Sequence, residues 1–249
     1  MLMINNLLLK IFLIFIDIID SRNKKKIIYF FRKKFKKKFI NVIDIGAHKG
    51  ETIDLILNNF NVEKIISFEP NKKLYESLRN KYFKKRDFIE ILNLGIGLNN
   101  EIKELNVMTD TSSSTFNEID KKSVYFQRKE KIFNFFSNNK NFFDQKQKIK
   151  IDSLSNIIEE KNIKNINILK IDTEGYEYNI LKGLNVENFK IIDFIYFEHH
   201  FDLMIKKNYK YSDIDKLLKE NNFSLDFKIK MNFRKSFEYI YKNEKKTFS

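Results

Sequence analysis

An α/β domain with a largely parallel sheet and crossover helices is the fold class that this sequence predicts. Three observations carry the expectation. From Phe39 onward, short apolar runs alternate with amphipathic helical stretches. The 249 residues, 43% of them hydrophobic, suffice for one well-buried α/β domain, with or without a small appendage. And a chain with only six glycines places two of them in NVIDIGAHKGET (41–52), where an apolar run ends in an aspartate and a helix begins.

Taken in order, FINVIDIG (39–46) reads as the first strand, and residues 50–59 as a helix with Ile53, Ile56, Leu57 and Phe60 on one face. KIISFEP (64–70) is a second strand, followed by a helix from about Lys72 to Phe83. FIEILNLGIG (88–97) reads as a third strand, and IKELNV (102–107) as its partner or a neighbour's through an Asn99-Asn100 turn. Residues 109–148 break the pattern: a polar TDTSSSTF loop, then a polar and aromatic stretch without a clean period. IKIDSL (149–154) leads into a helix to about Lys161. INILKIDTEG (166–175) is a strand with an acidic end, and the helix from Tyr176 to Lys182 is stopped by Gly183. IIDFIYFEHH (191–200) is another buried strand, Ser212 to Asn221 a helix, and FSLDFKIKM with SFEYIYKN a closing antiparallel hairpin. No internal repeat is present.

The net charge of +14 raises the question of nucleic acid, and its distribution weakens that reading. Residues 1–40 hold 11 Lys/Arg against Asp17 and Asp20, a balance of +9; the other 209 residues contribute only +5. The basic character is local to an N-terminal extension, residues 1–38. Its first part, Leu7 to Ile19, is strongly apolar but short and interrupted by Lys10 and Asp17, whereas a spanning helix needs ~20 mostly uncharged residues. A cleaved signal peptide is disfavoured as well, since the basic run follows the apolar one. Its second part spaces Ile27, Phe31, Phe35 and Phe39 at i, i+4, i+8 and i+12 among lysines, the pattern of a basic amphipathic helix. Packing on the domain or on a second subunit, peripheral contact with an anionic membrane surface, and RNA contact are the open readings. The absence of cysteine leaves no disulfide framework and no thiol nucleophile, which fits a cytoplasmic protein, with peripheral attachment at the inner membrane surface as the variant.

Chemistry concentrates at Asp44-Ile45-Gly46-Ala47-His48-Lys49-Gly50. Small residues at a strand end let a ligand approach the backbone, and the helix start offers unpaired N–H groups. The dinucleotide fingerprint G-x-G-x-x-G is absent, because the spacing is G-x-x-x-G. Asp44 before the turn suits a cationic ligand better than a pyrophosphate. Glu69 ends the next strand 25 residues on, placed to accept hydrogen bonds from two ribose hydroxyls. A ribose-bearing ligand with an ammonium group and no phosphate is S-adenosylmethionine.

The set DIGAHKGET, SFEP, NLGIG, SSST, IDSL and LKIDTEGYEYNILKGL, in this order and spacing, resembles the FkbM-type S-adenosylmethionine-dependent methyltransferases. The resemblance covers about Phe39 to Tyr241, with LKIDTEGYE its most specific part. It implies a class I methyltransferase (Rossmann-like) fold: a seven-stranded, mostly parallel sheet with one antiparallel strand and helices on both faces. It also implies O-methylation of a hydroxyl on a sugar, glycan or glycolipid precursor. By position, Asp44, Gly46 and Ala47, with Gly50 opening the helix, line the methionine end of the cofactor. Glu69 holds the ribose, and Asn93, Gly95 and Ile96 lie near the adenine. For Asn93 the alternative is a strand-end cap, and Ser112 to Ser114 contact either ligand or neither.

A sugar hydroxyl has a high pKa, so methylating it calls for a general base or a metal. The acids at strand carboxyl ends, where ligands of open α/β sheets bind, are Asp172, Glu174 and Glu198, with His199 and His200 adjacent. Asp172 is expected beside the methyl group, with Glu174 or His199 as proton acceptor. His200 reads as a satisfied surface residue, Lys170 as an ion-pair partner, and Glu174 and Glu177 alternatively as helix N-terminal charges. No metal is demanded; an ion held by Asp172, Glu198 and His199 stays open. Residues 116–148 are expected to form an acceptor-side insertion. The competing readings are an RNA methyltransferase, which would lack the Asn/Asp-Pro-Pro-aromatic signature of many amino-group methylating enzymes, and a non-catalytic membrane- or partner-binding module on the same fold.

Overall fold

In the computed structural model, residues 22–108, 114–136, 143–232 and 235–247 are described. A seven-stranded sheet forms the centre, in the order β3-β2-β1-β7-β8-β10-β9. Its strands are β1 (Phe39–Ile45), β2 (Asn61–Phe68), β3 (Ile89–Leu92), β7 (Ile166–Ile171), β8 (Ile192–His200), β9 (Phe223–Lys230) and β10 (Ser236–Asn243). β10 is antiparallel to both β8 and β9 and is the one reversed strand. All nine residues of β8 are buried, as in a parallel strand covered on both faces.

One face of this sheet packs against α1 (residues 22–35 in its described part), α2 (Glu51–Leu57) and α3 (Lys72–Lys81). Strand alternation puts Val42, Ile168, Phe194, Tyr196 and Ile240 on this side, and the sequence stripe Ile27, Phe31, Phe35 of α1 inserts among them, each buried. Phe31 and Phe35 meet the Phe194 ring edge-on. The fourth member of that sequence stripe, Phe39, begins β1 instead and is 67% exposed. The other face carries Ile43, Ile45, Leu169, Ile171, Ile195, Phe197 and Tyr239 under α5 (Leu154–Glu160), α6 (Glu177–Lys182), α7 (Val186–Lys190) and α8 (Tyr211–Glu220). No helix of the described residues is long and apolar enough to cross a membrane; Leu7 to Ile19 lie outside the described residues.

Three features depart from the sequence expectation. The run 88–97 is not one strand: it breaks after β3, and β4 (Gly95–Gly97) joins a separate three-stranded sheet, order β4-β6-β5, with β5 (Glu101–Met108) and β6 (Phe143–Ser153). The break follows from Asn93, whose amide donates to the Glu69 and Pro70 carbonyls (both 2.9 Å) and fixes the turn. Within 109–148 the structure builds α4 (Val124–Phe136) and the start of β6, where the sequence shows no clean period. Phe126 of α4 is buried against Met204 and Ile205 of the loop after β8, so this segment's order comes from tertiary contact rather than from its own pattern. Gly183 ends α6 with an ordinary φ of −75° rather than as a left-handed cap; its hydrogen is needed because a Cβ there would sit 2.3 Å from the Gly97 carbonyl oxygen.

Candidate functional site

The strand order reverses between β1 and β7, and the crevice at that switch point is where an open α/β sheet offers a ligand site. Asp172 follows β7, and its N–H donates to the Ile45 carbonyl (2.9 Å), which brings the two strand ends together. Gly46 turns the chain there with φ of +88°; a Cβ would lie 2.0 Å from the Asp172 carbonyl oxygen, so no other residue fits. A cavity of about 420 Å³ opens at this point, within the roughly 300–1,000 Å³ of small-molecule sites.

One end of the cavity is built for a nucleoside. Gly46, Ala47, Glu69, Gly95 and Ile96 of the expected cofactor set line it, with Pro70, Leu94 and Phe116. Glu69 is buried, and backbone groups pin both its carboxylate oxygens: His48 N–H donates to Oε2 and Asn71 N–H to Oε1, each 2.8 Å. A carboxylate has about four acceptor sites, so two are left for neighbouring hydroxyls. Burial pushes the Glu69 carboxyl up to about 7 despite these bonds. His48 itself takes a left-handed φ of 49° and its Nδ1 lies 3.0 Å from Glu51 Oε1, both set by the G-x-x-x-G turn.

Three residues expected at the cofactor stand behind the cavity wall instead. Asn93 is exposed and spends its amide on the Glu69–Pro70 turn, which makes it the strand-end clamp of the alternative reading. Gly50 caps α2 in the left-handed region, with its carbonyl accepting from Tyr82 Oη (3.0 Å). Asp44 is buried in β1 under the turn; Ser67 Oγ reaches Oδ2 at 3.5 Å, and Oδ1 has no hydrogen-bond partner among the described residues. Burial raises its pKa to about 7. Ser112 and Ser113 lie outside the described residues. Ser114 lines the cavity with its Oγ buried and without a partner among the described residues.

The other end of the cavity is a row of charge written by strand register. Asp44 pairs with Lys170, Lys170 with Tyr196, and Glu198 with Glu238 across β1, β7, β8 and β10. Lys170 Nζ lies 3.2 Å from Asp172 Oδ2 and 4.3 Å from the centre of the Tyr196 ring. Burial alone would lower the Lys170 pKa, but Asp172, Glu238, Glu198 and Asp44 outweigh it and push it up. Tyr196 Oη donates to Glu238 Oε2, and burial raises the Glu238 carboxyl to about 7. Ser236 Oγ donates to Glu198 Oε1 (2.6 Å). Asp172, Glu174 and Glu198 all line the cavity, as expected.

The two histidines exchange places relative to the sequence reading. His199 points to the opposite face, among the rings of Phe201, Tyr209 and Tyr211, with Nδ1 unpartnered among the described residues and burial lowering its pKa to about 3. It is not in the cavity wall and is not placed to accept a proton there, and the ion held by Asp172, Glu198 and His199 loses its third ligand for the same reason. His200, expected at the surface, is buried beside the acids: Nε2 is 3.4 Å from Glu174 and 3.5 Å from Glu198, and Nδ1 is 3.6 Å from Asp202. Burial opposes its charging, but Glu174, Asp202 and Glu198 outweigh that and carry its pKa to about 10. Period-two alternation from Glu198 would have assigned the pair correctly. Lys170, Tyr196 and Glu238 were legible in the same way, as polar residues at even steps of apolar strands.

Glu174 adopts a left-handed φ of 50°, and its turn is tied to the segment after β5: Thr115 Oγ1 donates to the Glu174 carbonyl (2.9 Å) and Asn117 Nδ2 to that of Gly175 (2.6 Å). The acid end of the cavity is therefore held to the chain at Thr115 and Asn117.

These residues fit S-adenosylmethionine. A twice-pinned buried carboxylate faces an apolar slot, acidic groups surround the switch point, and an unpartnered Ser114 hydroxyl looks into the space. Solved structures similar to the chain include the methyltransferase FkbM from Methylobacillus flagellatus KT, at 16% identity and a TM-score of 0.48, covering 82% of this chain and 44% of that one. The chain thus spans less than half the length of that protein. Magnesium protoporphyrin IX methyltransferase from Synechocystis PCC 6803 is similar at 8% identity and a TM-score of 0.47, covering 91% of this chain and 81% of the other. The Methanococcus jannaschii fibrillarin pre-rRNA processing protein is similar at 10% identity and a TM-score of 0.46, over 84% and 68%. No curated protein matches the chain by sequence. The profile of the methyltransferase FkbM domain matches residues 44–225, which include every residue lining the cavity except Val42 and those of α1 and the β9–β10 hairpin. With most of its length inside that match, the chain belongs to the FkbM family of S-adenosylmethionine-dependent methyltransferases.

Proposed function

We propose that this methyltransferase acts on a hydroxyl group of a sugar, glycan or glycolipid precursor. The observation that supports it most is the acid end of the cavity, where Asp172, Glu174 and Glu198 converge within the same space that Gly46, Ala47 and Glu69 open. S-adenosylmethionine, held by Glu69 at the ribose and by the Gly46–Ala47 turn at the methionine end, supplies an electrophilic methyl group. The chain's part is to align the acceptor and take its proton. Glu174 is the proton acceptor in this reading: it lines the cavity on the turn after β7, whose carbonyls Thr115 and Asn117 hold. His200, carrying its charge at neutral pH, cannot accept a proton and instead orients Glu174 and Glu198. The segment after β5 is stapled to the Glu174 turn, on the acceptor side, by Thr115 and Asn117.

The test is transfer of a labelled methyl group to a panel of sugars, sugar nucleotides and glycolipids, with RNA as the contrasting acceptor. Incorporation into a hydroxyl acceptor, lost in Glu174→Gln with cofactor binding retained, is the expected result. Incorporation into RNA alone would overturn the acceptor assignment.

A further inference from the structure

α1 has two faces, and the cavity accounts for only one. Inward, Ile27, Ile28 and Phe31 border the cavity and Phe35 fills the core behind them. Outward, the helical spacing lines up Arg22, Lys25, Lys26, Tyr29, Lys33 and Lys36, all exposed. Residues 22–38 contain ten Lys/Arg and no acid. Among the described residues, Lys34 bonds Asp226 (2.7 Å) and Arg32 reaches Asn59 (2.9 Å), while Lys33 lies 4.3 Å above the Tyr29 ring. Tyr29 is 61% exposed and Phe39, at the foot of the same helix, 67%. An outward row that mixes basic side chains with the exposed Tyr29 ring does not suit water alone. It suits an interface with anionic headgroups outside and acyl chains beneath, where aromatic rings settle.

We infer that the outward face of α1 docks on an anionic phospholipid bilayer. The chain immediately before it favours a bilayer over RNA: Leu7 to Ile19 is a nearly continuous apolar run only a few residues upstream, which a lipid surface can take up and a nucleic acid cannot. Two attachment elements of this kind together give stable peripheral binding where either alone is marginal. Lys24 is exposed on the same helix and borders the cavity, so docking sets the cavity mouth against the headgroup layer. The inference rests on α1 and the apolar run before it, and stands or falls separately from the acceptor assignment.

The full chain, sedimented with vesicles of phosphatidylcholine and phosphatidylglycerol, tests it. Binding is expected to the mixed vesicles at low salt, to fall sharply in about 0.5 M salt, and to be far weaker on pure phosphatidylcholine. The variant Lys25→Gln/Lys26→Gln/Lys33→Gln/Lys36→Gln removes four exposed charges; at least about a hundredfold weaker vesicle binding is expected, with S-adenosylmethionine affinity unchanged. Equal binding to neutral vesicles, or no binding at all, would overturn the inference. So would release of the protein from mixed vesicles by an RNA homopolymer at equal phosphate concentration, which would make nucleic acid the partner.

Discussion

Replacing Glu69 by Gln separates the cofactor site from the fold with a change of one atom. The carboxylate accepts from two backbone N–H groups, those of His48 and Asn71, one on each oxygen. A Gln amide has a single oxygen, so in either orientation its NH2 group faces one of those donors. The amide must turn, and the lone pairs aimed at the ribose hydroxyls turn with it. Two charge-assisted hydrogen bonds become at most one neutral bond. At about 1.5–3 kcal/mol for each bond to a charged group, the expected loss is about 3 kcal/mol, or roughly a hundredfold in Kd. Calorimetric titration with S-adenosylmethionine reads the affinity, and thermal unfolding without ligand reads the local cost separately. The wild-type affinity should itself rise with pH towards about 7, as the buried carboxyl ionises. A variant that folds and binds within threefold of wild type would refute the assignment of Glu69 to the ribose.

Further outcomes follow from the same geometry. Lys170→Met leaves Asp172, Glu238 and Asp44 without their shared cation; a loss of about 3–5 kcal/mol in urea unfolding is expected at neutral pH, shrinking at pH 5 where the raised carboxyls are protonated. Gly46→Ala must relieve both a φ of +88° and a 2.0 Å approach to the Asp172 oxygen, so we expect at least about 2 kcal/mol of destabilisation and no measurable cofactor binding. His199→Phe removes an unpartnered nitrogen from an aromatic cluster; unfolding should shift by less than about 1 kcal/mol or in the stabilising direction, and a large loss would mean that His199 has a polar role. The raised carboxyls Glu69, Asp44 and Glu238 bind more protons folded than unfolded between about pH 4 and 7. His200 does so from 6.5 to about 10, so His200 governs the range above neutrality. Apo-protein stability should therefore fall between pH 6.5 and about 9. Below that window His199, with its lowered pKa, acts oppositely. A Tm that rises over the upper range would contradict the buried-charge description of the site.

What was legible in the sequence were the features written by strong local periods. The parallel strands, the Gly46 turn, Glu69 and the acids after β7 all stood at positions that a strand end dictates. Asp172, Glu174 and Glu198 were found because a charge at the end of an apolar strand is conspicuous. The exchange of His199 for His200 was an error of counting parity, correctable from Glu198. The small β4-β6-β5 sheet was out of reach, because nothing local distinguishes a strand that continues from one that breaks at Asn93 and joins another sheet. α4 was hidden for a related reason: its burial rests on Met204 and Ile205, some 80 positions away. The Glu198–Glu238 pairing needed the register of the last hairpin, which periodicity does not supply.

The place of β10 also has a consequence for how the protein is made. It follows β9 in chain order, yet it lies between β8 and β9 and supplies Glu238 to the cavity wall. Until some forty residues after β8 have emerged, that wholly buried strand has a bare edge able to pair with any other nascent chain. Synthesis interrupted before residue 236 would thus yield not a weak enzyme but a sticky fragment, subject to chaperone capture or degradation. Methyl transfer is accordingly confined to chains synthesised past β10.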